Sequence, residues 1–457
     1  MIAWFQCNPR SVRLGGTDFL RGGRLGANPF LGVIFNWLGG LASASCYLPF
    51  RGIKRWSWET YWLVQGMFSW IFAPILIAAA LVPHLYSILH AAPASSLFFS
   101  YFWGSMWGFG ALTFGLSIRY LGIALGYPIA MGLCTVFGTL MPPIFSGEMG
   151  TIVRQRSGQF ILLGIGICVI GIIFSGLAGR SKEQELSEEE KKKTVEEFHY
   201  GKGLAVSIFA GVMSACFAYG LAAGKPIAQI AQTKLALEHH SGLWQGLPVL
   251  VVVMLGGFTT NFFWCLILLV RNRSAKQYIG LSALPDPAGS APSGAVSAVP
   301  PPAPKGFSSQ PAAAVRTPSV SRLPASRLIV NYLFAGAAGV IWYFQFFFYS
   351  MGQTEMGKYA FSSWTLLMAS IIISSTLWGI ALHEWRGTSR RTQGLVAIGL
   401  VLLVASTVVV GYGNYLQVDG PRAQTVFNKR NTSVIVAQDR SRLAQTMGTH
   451  GDVIVRH

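Results

Sequence analysis

Long apolar stretches separated by short polar segments occupy the chain from residue 30 to residue 416. Each stretch is close to the ~20 residues that a helix needs to cross the hydrocarbon core of a bilayer. The regular alternation of short strands that indicates a membrane barrel is absent from the pattern. Because a membrane-spanning backbone must satisfy its hydrogen bonds within each segment, the pattern predicts an all-α integral membrane protein. We predict ten transmembrane helices, at residues 30–50, 58–81, 97–118, 123–145, 158–178, 204–223, 243–270, 328–351, 359–382 and 394–416.

Four polar segments flank or interrupt these spans. Residues 1–29 are basic and glycine-rich and are expected to form a disordered extension, while residues 180–202 contain EEEKKK and form a charged connector. A stretch at about 282–327 is rich in Ala, Pro and Ser, a composition typical of a flexible linker that buries no core. Residues 417–457 form a polar C-terminal tail. The connector and the linker leave two five-helix halves, 30–179 and 203–416, the second interrupted by the linker.

An internal repeat relates the two halves. An offset of 235 positions maps Gly104 onto Gly339 and Trp107 onto Trp342, and an offset of 170 maps Cys46 onto Cys216. If each repeat holds five spans, the two halves cross the membrane in opposite directions. The sequence therefore predicts two inverted five-helix repeats, which is the plan of many secondary transporters.

Composition and charge support this class of protein. Hydrophobic residues make up 52% of the chain and charged residues 11%, whereas soluble domains contain about 25% charged residues. The net charge of +18 does not indicate nucleic-acid binding, because Lys and Arg lie in loops and tails instead of one basic stripe. The odd-numbered loops contain 20 Lys and Arg against 5 in the even-numbered loops, or 15 with the tails added. Short loops weigh most, so we expect the odd-numbered loops in the cytoplasm and both termini outside.

The predicted spans contain no sequence motif that indicates an enzyme or a metal site. Five of the six cysteines lie in apolar spans without a CxxC spacing, which favours small buried side chains over disulfides or metal ligands. No paired acids, HExxH or GxSxG occur within the spans. We therefore predict no catalytic residues, no metal and no cofactor.

The stretch IWYFQFFFYSMG suggests a binding site for a sugar. Trp342, Gln345 and Tyr349 are spaced i, i+3 and i+7, so they share one helix face. Aromatic faces suit the C–H side of a sugar ring, and an amide suits its hydroxyls. An aromatic stripe is more often simple packing, but an amide at that depth needs partners. By the repeat, Trp107 would face this helix, and the further polar candidates at span depth are Tyr47, Tyr219 and Asn261.

Proton coupling requires a group that gains and loses a proton between states. The centres of the ten spans contain no Asp, Glu, Lys or Arg, so the candidates lie at span ends. Glu59 and Glu355 are the first choices, with His383 as a third. Each of them could instead be an interfacial charge that reaches water.

Several motifs together resemble the L-rhamnose/proton symporters, a branch of the drug/metabolite transporter superfamily. They are KRWSWET at 54–60, FWGSMWGFG at 102–110, IRYLGIALG at 118–126, AAGKP at 222–226, WYFQFFFYSMG at 342–352 and HEW at 383–385. The resemblance implies a ten-helix, multi-pass inner-membrane carrier that imports L-rhamnose, a 6-deoxy sugar, with protons by alternating access. The linker, the basic extension and the tail depart from the family pattern.

Other functions remain open at this stage. An exporter of drugs or metabolites could use the same fold, and a carrier of another deoxy sugar such as fucose could use the same residues. A membrane sugar sensor could bind without transport. The expected partners are the sugar, protons and the lipid bilayer, without nucleic acid, and the oligomeric state is left open.

Overall fold

The computed structural model describes residues 27–185, 200–282 and 321–417. Nearly all of these residues are helical, which confirms the all-α membrane class. Within these ranges the strands are Leu281–Ser282 and Ser321–Arg322, which pair antiparallel. Most of the predicted basic extension, the EEEKKK part of the connector, most of the linker and residues 418–457 of the tail lie outside the described residues.

Thirteen α-helices are described. In chain order they are α1 Pro29–Ser45, α2 Trp58–Met67, α3 Ala73–Leu81, α4 Leu85–Ala91, α5 Ala94–Phe145, α6 Met149–Arg154, α7 Arg156–Gln184, α8 Tyr200–Ala223, α9 Lys225–Leu237, α10 Leu247–Arg271, α11 Ala325–Glu355, α12 Ser363–Ala381 and α13 Arg390–Gln417. A π-helical turn, Phe68–Phe72, joins α2 to α3. Short 3-10 turns lie at Pro49–Gly52, Gly242–Gly246, Ser274–Ile279 and Gly357–Ser362.

Nine helical segments of the described residues are long and apolar enough to cross a membrane. They correspond to nine of the ten predicted spans, and the exception is the third, 97–118, which lies in the first part of α5. That stretch contains several Gly, Ser and Trp residues, which lower its mean hydropathy. The total of ten transmembrane helices therefore stays a prediction.

Helix α5 contains 52 residues and would be about 78 Å long if it were straight. It does not run straight. Trp103 and Phe137 both contact Tyr219 of α8, so the chain must reverse direction between them. The rings of Phe114 and Tyr127 also lie 5.9 Å apart, which brackets the reversal between these two residues. The two parts of α5 are thus antiparallel neighbours, as the short RYLG link predicts.

Some segment boundaries differ from the predicted ones. Helix α7 continues to Gln184 and α8 begins at Tyr200, so both ends of the predicted connector are helical. Helix α11 begins at Ala325, before the predicted end of the linker at residue 327. Pro324 occupies the position just before this helix. Proline is tolerated at a helix start because it has no N–H that would lack a partner, so the helix begins at Ala325 and not at the first apolar residue.

The helices pair across the two halves. Helix α1 packs on α11 and α12, while α8 packs on both parts of α5. Gly104 of α5 lies against the Val253 carbonyl of α10, and its predicted equivalent, Gly339 of α11, lies against the Gln65 carbonyl of α2. Each half thus completes its packing with helices of the other half. This exchange supports the inverted repeat, which stays a prediction.

We predict that Gly104→Ala and Gly339→Ala each destabilise the protein by about 1–3 kcal/mol, because the added methyl group overpacks a backbone contact. Gly132→Ala is the matched control, since a Cβ at Gly132 meets nothing within 4 Å. Thermal unfolding of the purified variants in detergent measures the difference. Equal melting temperatures for Gly104→Ala and Gly132→Ala would contradict the close approach.

Candidate functional site

Four tryptophans from three spans form one cluster, which we call the tryptophan group: Trp62, Trp70, Trp107 and Trp342. The Trp342 ring lies 5.2 Å from Trp70, 6.0 Å from Trp62 and 6.1 Å from Trp107 between ring centroids. Trp107 and Trp342 are stacked at 26°. The structure thus brings together the two tryptophans that the repeat relates, near the middle of their spans.

Local sequence explains the position of Trp70. Pro74 has no N–H, so the Trp70 carbonyl cannot receive the usual helical hydrogen bond from four residues later. The backbone widens there into the π-helical turn Phe68–Phe72. Gly66 leaves room for the ring, because a Cβ at this position would lie 2.7 Å from it. The Trp70 side chain is consequently buried between neighbouring helices.

Glycines also determine where Trp107 and Trp342 lie. Each tryptophan follows a glycine by three residues, Gly104 or Gly339, at which its helix touches a neighbouring backbone. The Trp107 ring lies against Gly257 of α10, where a Cβ would be 2.5 Å from the ring. Close contact between backbones therefore brings the large rings into one layer.

Further aromatic rings extend the group towards α8 and α12. Phe346 contacts Trp107 at 5.4 Å and Phe217 at 4.5 Å between centroids. Tyr349 contacts Phe217 and Trp364, and so lies one ring away from Trp107. Tyr349 therefore shares the helix face with Trp342, as its spacing predicts, but it is at the edge of the cluster.

Gln345 provides a buried amide on α11, three residues after Trp342. Its side chain is 6% exposed, and its Oε1 has no hydrogen-bond partner within the described residues. Helix α1 approaches closely here, since a Cβ at Gly39 would lie 2.9 Å from the Gln345 carbonyl oxygen. A buried polar atom without a partner is costly, so a ligand that donates a hydrogen bond would satisfy it.

Asn261 and Tyr219 make hydrogen bonds within the protein. Asn261 Nδ2 donates to the Gly257 carbonyl at 2.9 Å, and its Oδ1 accepts from Trp62 Nε1 at 3.2 Å. The Tyr219 hydroxyl donates to the Phe137 carbonyl at 3.2 Å. Both side chains thus join neighbouring segments, and their predicted contact with the sugar stays a prediction.

Tyr47 lies beyond the end of α1, in a turn at the end of the bundle that we expect to face the cytoplasm. Its half-buried ring contacts Phe50 at 5.9 Å, and Phe50 in turn contacts Tyr61. This position is at the mouth of the bundle and not in the layer of the tryptophan group.

Glu59 is the most unusual ionisable residue of the described part of the chain. It is 1% exposed and is the only acidic or basic residue there that is fully buried. Its Oε1 accepts hydrogen bonds from Ser274 Oγ at 2.6 Å and from Asn272 Nδ2 at 3.1 Å. Both donors are neutral and follow α10, so this carboxylate joins the start of α2 to the end of α10. The positive end of the α2 dipole stabilises its charge.

The other two candidates for proton coupling are less isolated from solvent. Glu355 ends α11, is half-buried and accepts a hydrogen bond from the Asn28 backbone N–H at 2.7 Å. His383 is exposed in a turn, with a left-handed φ of 60°. The role of His383 in proton coupling stays a prediction. The adjacent Glu384 forms an ion pair with Arg51 at 3.2 Å.

Sequence reasoning missed Trp62, Trp70 and Phe346 as members of the site. Phe346 did not stand out because it lies in a run of aromatic residues. Trp62 did not stand out because it lies near the end of a span. One local signal for Trp70 exists: Pro74 four residues later indicates a disturbed helix, and such disturbances are frequent at functional sites.

The fold and the candidate site together define a class of protein. Apolar helices cross the membrane repeatedly, pair between two halves, and enclose an aromatic layer with an unsatisfied amide and a separate buried carboxylate. This combination is that of a multi-pass membrane transporter.

Comparison with known proteins specifies the family. The family model of the L-rhamnose-proton symport protein matches residues 27–283 and 315–415. The chain is 31% identical over 390 residues to the L-rhamnose-proton symporter of Mannheimia succiniciproducens, covering 85% of this chain and 99% of the relative. The symporter of Klebsiella pneumoniae is 31% identical over 386 residues, covering 84% and 97%. This chain belongs to the L-rhamnose-proton symport family, which is a family of inner-membrane transporters and not of enzymes.

The unmatched stretch between residues 283 and 315 falls within the predicted Ala/Pro/Ser-rich linker. Residues 1–26 and 416–457 also lie outside the match, so the basic extension and the tail depart from the family as well. The matched regions contain all the residues of the tryptophan group, Gln345 and Glu59.

Proposed function

We propose that this protein imports L-rhamnose, or a closely related deoxy sugar, together with protons by alternating access. Family membership supports the reaction, and the relatives named above are L-rhamnose-proton symporters. The observation that most directly supports a sugar site is Gln345, which follows Trp342 by three residues on α11 and whose buried Oε1 has no hydrogen-bond partner among the described residues.

The aromatic layer matches the chemistry of a 6-deoxy sugar. The faces of Trp107 and Trp342 can pack against C–H groups and the methyl group, while Gln345 Oε1 can accept a hydrogen bond from a hydroxyl. Within the described part of the chain Trp70 Nε1 is also buried without a hydrogen-bond partner, so it can donate to a sugar oxygen. Since the sugar is neutral, no charged side chain is needed at mid-depth.

The proton site in this proposal is Glu59. A carboxylate buried among neutral donors is stabilised by Ser274 and Asn272, and protonation weakens both hydrogen bonds. Loss of these bonds frees the start of α2 from the end of α10. Transport then requires that the doubly loaded and the empty carrier change state readily, and the singly loaded carrier does not.

The first test is uptake of labelled L-rhamnose by a transporter-deficient bacterial strain that expresses this chain. We expect accumulation that a protonophore abolishes, and competition by other deoxy sugars more than by unrelated solutes. Uptake that does not respond to a protonophore would contradict the coupling to protons. Uptake of a different solute without uptake of rhamnose would contradict the proposed substrate.

The second test addresses Gln345. We expect Gln345→Leu, which keeps the volume but loses the hydrogen bond, to raise KM for the sugar about tenfold. Phe348→Leu is the matched control, because Phe348 is one turn away and packs on Phe35 without a polar group. Initial rates of uptake measured against sugar concentration give the KM of each variant, and the amount of folded carrier is measured in parallel. An unchanged KM for Gln345→Leu would indicate that the amide only packs.

The third test addresses Glu59 in proteoliposomes. Glu59→Gln keeps an acceptor for Ser274 and Asn272 but cannot release a proton, so we expect sugar counterflow to persist and proton-driven accumulation to be lost. Glu355→Gln is the control and should accumulate sugar like the unmodified protein. Accumulation by Glu59→Gln in response to a pH gradient would exclude Glu59 as the proton site.

A further inference from the structure

Asn261 lies in the middle of α10 and is 1% exposed. Its amide uses its donor for the Gly257 carbonyl of its own helix and its acceptor for the indole N–H of Trp62 on α2. The second bond joins two helices in the buried interior of the bundle. Such an amide is suited to hold another side chain in place.

Trp62 is the residue that Asn261 holds. Its ring is stacked on Trp58 at 5.2 Å and 23°, and it also contacts Trp70 and Trp342. Packing on ring faces leaves an indole free to slide or flip in its plane, whereas a hydrogen bond from its one N–H selects a single orientation. Asn261 therefore determines which edge of Trp62 faces Trp342.

The same turn of α10 touches the other tryptophans. The Trp107 ring lies against Gly257, and Phe258 contacts Trp70 at 6.4 Å between centroids. The turn from Gly257 to Asn261 thus contacts Trp62, Trp70 and Trp107 together. A displacement of α10 relative to α2 would move these contacts as a unit.

Glu59 lies one turn before Trp62 on α2, and its two donors follow the end of α10. Helices α2 and α10 are consequently joined twice, by Glu59 at one end and by Trp62 with Asn261 further in. The two junctions involve the same pair of helices.

We infer that Asn261 is a positioning residue, which orients Trp62 and thereby makes the sugar site sensitive to the α2–α10 junction that Glu59 closes. It touches neither sugar nor proton in this scheme. The inference rests on the proposed function, since it names a residue that sets affinity in the same site.

A double-mutant cycle tests it. Asn261→Leu leaves the Trp62 N–H unpaired, Trp62→Phe leaves the Asn261 oxygen unpaired, and the double variant removes both partners. We expect each single variant to raise the KM for L-rhamnose about tenfold, with little change in maximal rate, and the double variant to be no worse than either single variant. Near-ultraviolet circular dichroism of the sugar-free protein should change similarly in all three variants, because each one releases or removes the same ring.

Asn414→Leu is the matched control. Asn414 is a buried asparagine of α13 that also bonds the carbonyl four residues before it, but its other partner is Ser362. Its replacement can lower stability but should leave both the KM and the tryptophan spectrum unchanged. An equal rise in KM for Asn414→Leu would assign the effect to general destabilisation and overturn the inference.

Additive effects of Asn261→Leu and Trp62→Phe on KM would also overturn it, as would a wild-type KM and spectrum for Asn261→Leu. If the unmodified protein does not transport rhamnose, the proposed function fails. The spectra of the sugar-free variants then still decide whether Asn261 orients Trp62, because they need no substrate.

Discussion

Close approach of helix backbones at glycine, in the middle of the bundle, is the constraint on which the rest of the structure depends. Gly104 and Gly339 lie against backbone carbonyls of α10 and α2, where a larger residue would force the helices apart. Between lipid-embedded helices, small residues at crossings allow the packing that the hydrophobic effect does not provide there. Because Trp107 and Trp342 follow these glycines by three residues, the same contacts that hold the helices together also bring these two rings into one layer.

An aromatic layer made in this way has few polar atoms, and each of them either has or lacks a hydrogen-bond partner within the protein. The side chains of Asn261 and Tyr219 are hydrogen-bonded inside the protein, whereas Gln345 Oε1 and Trp70 Nε1 are buried without a partner among the described residues. A folded protein tolerates such atoms where a ligand or ordered water completes them. Other buried side chains, such as those of Trp58 and Tyr343, also have an unpaired polar atom in this part of the chain, so an unpaired atom supports a ligand site only together with its position. Charge at this depth would only add a desolvation cost.

The sequence predicts those parts of the structure that depend on patterns along the chain. Hydropathy predicted nearly all the spans, and the short RYLG link predicted the antiparallel arrangement within α5. The internal repeat predicted that Trp107 faces Trp342. Helical spacing also selected Gln345, whose role in sugar binding stays a prediction. The hydrogen bonds that Tyr219 and Asn261 make to neighbouring helices were not predictable, because residue type and depth do not tell whether a neighbouring helix supplies a partner. Trp70 was missed because the π-helical turn changes the direction of its side chain, which regular helical spacing cannot anticipate.

In the proposed mechanism, a neutral sugar and a proton on Glu59 cannot influence one another strongly by direct electrostatics. Glu59 and Trp70 lie on the same span, separated along its axis by about 16 Å at the usual rise per residue. Coupling between them must be a difference in conformational free energy, and it must be reciprocal: if protonation favours the sugar-binding arrangement, bound sugar favours protonation equally. The element that could have two arrangements is the α2–α10 pair, since α2 contains Glu59, Trp62 and Trp70 in succession and α10 or its continuation provides the partner of each one. Any relative movement of these two helices that breaks the Glu59 hydrogen bonds also shifts the rings against which a sugar would pack.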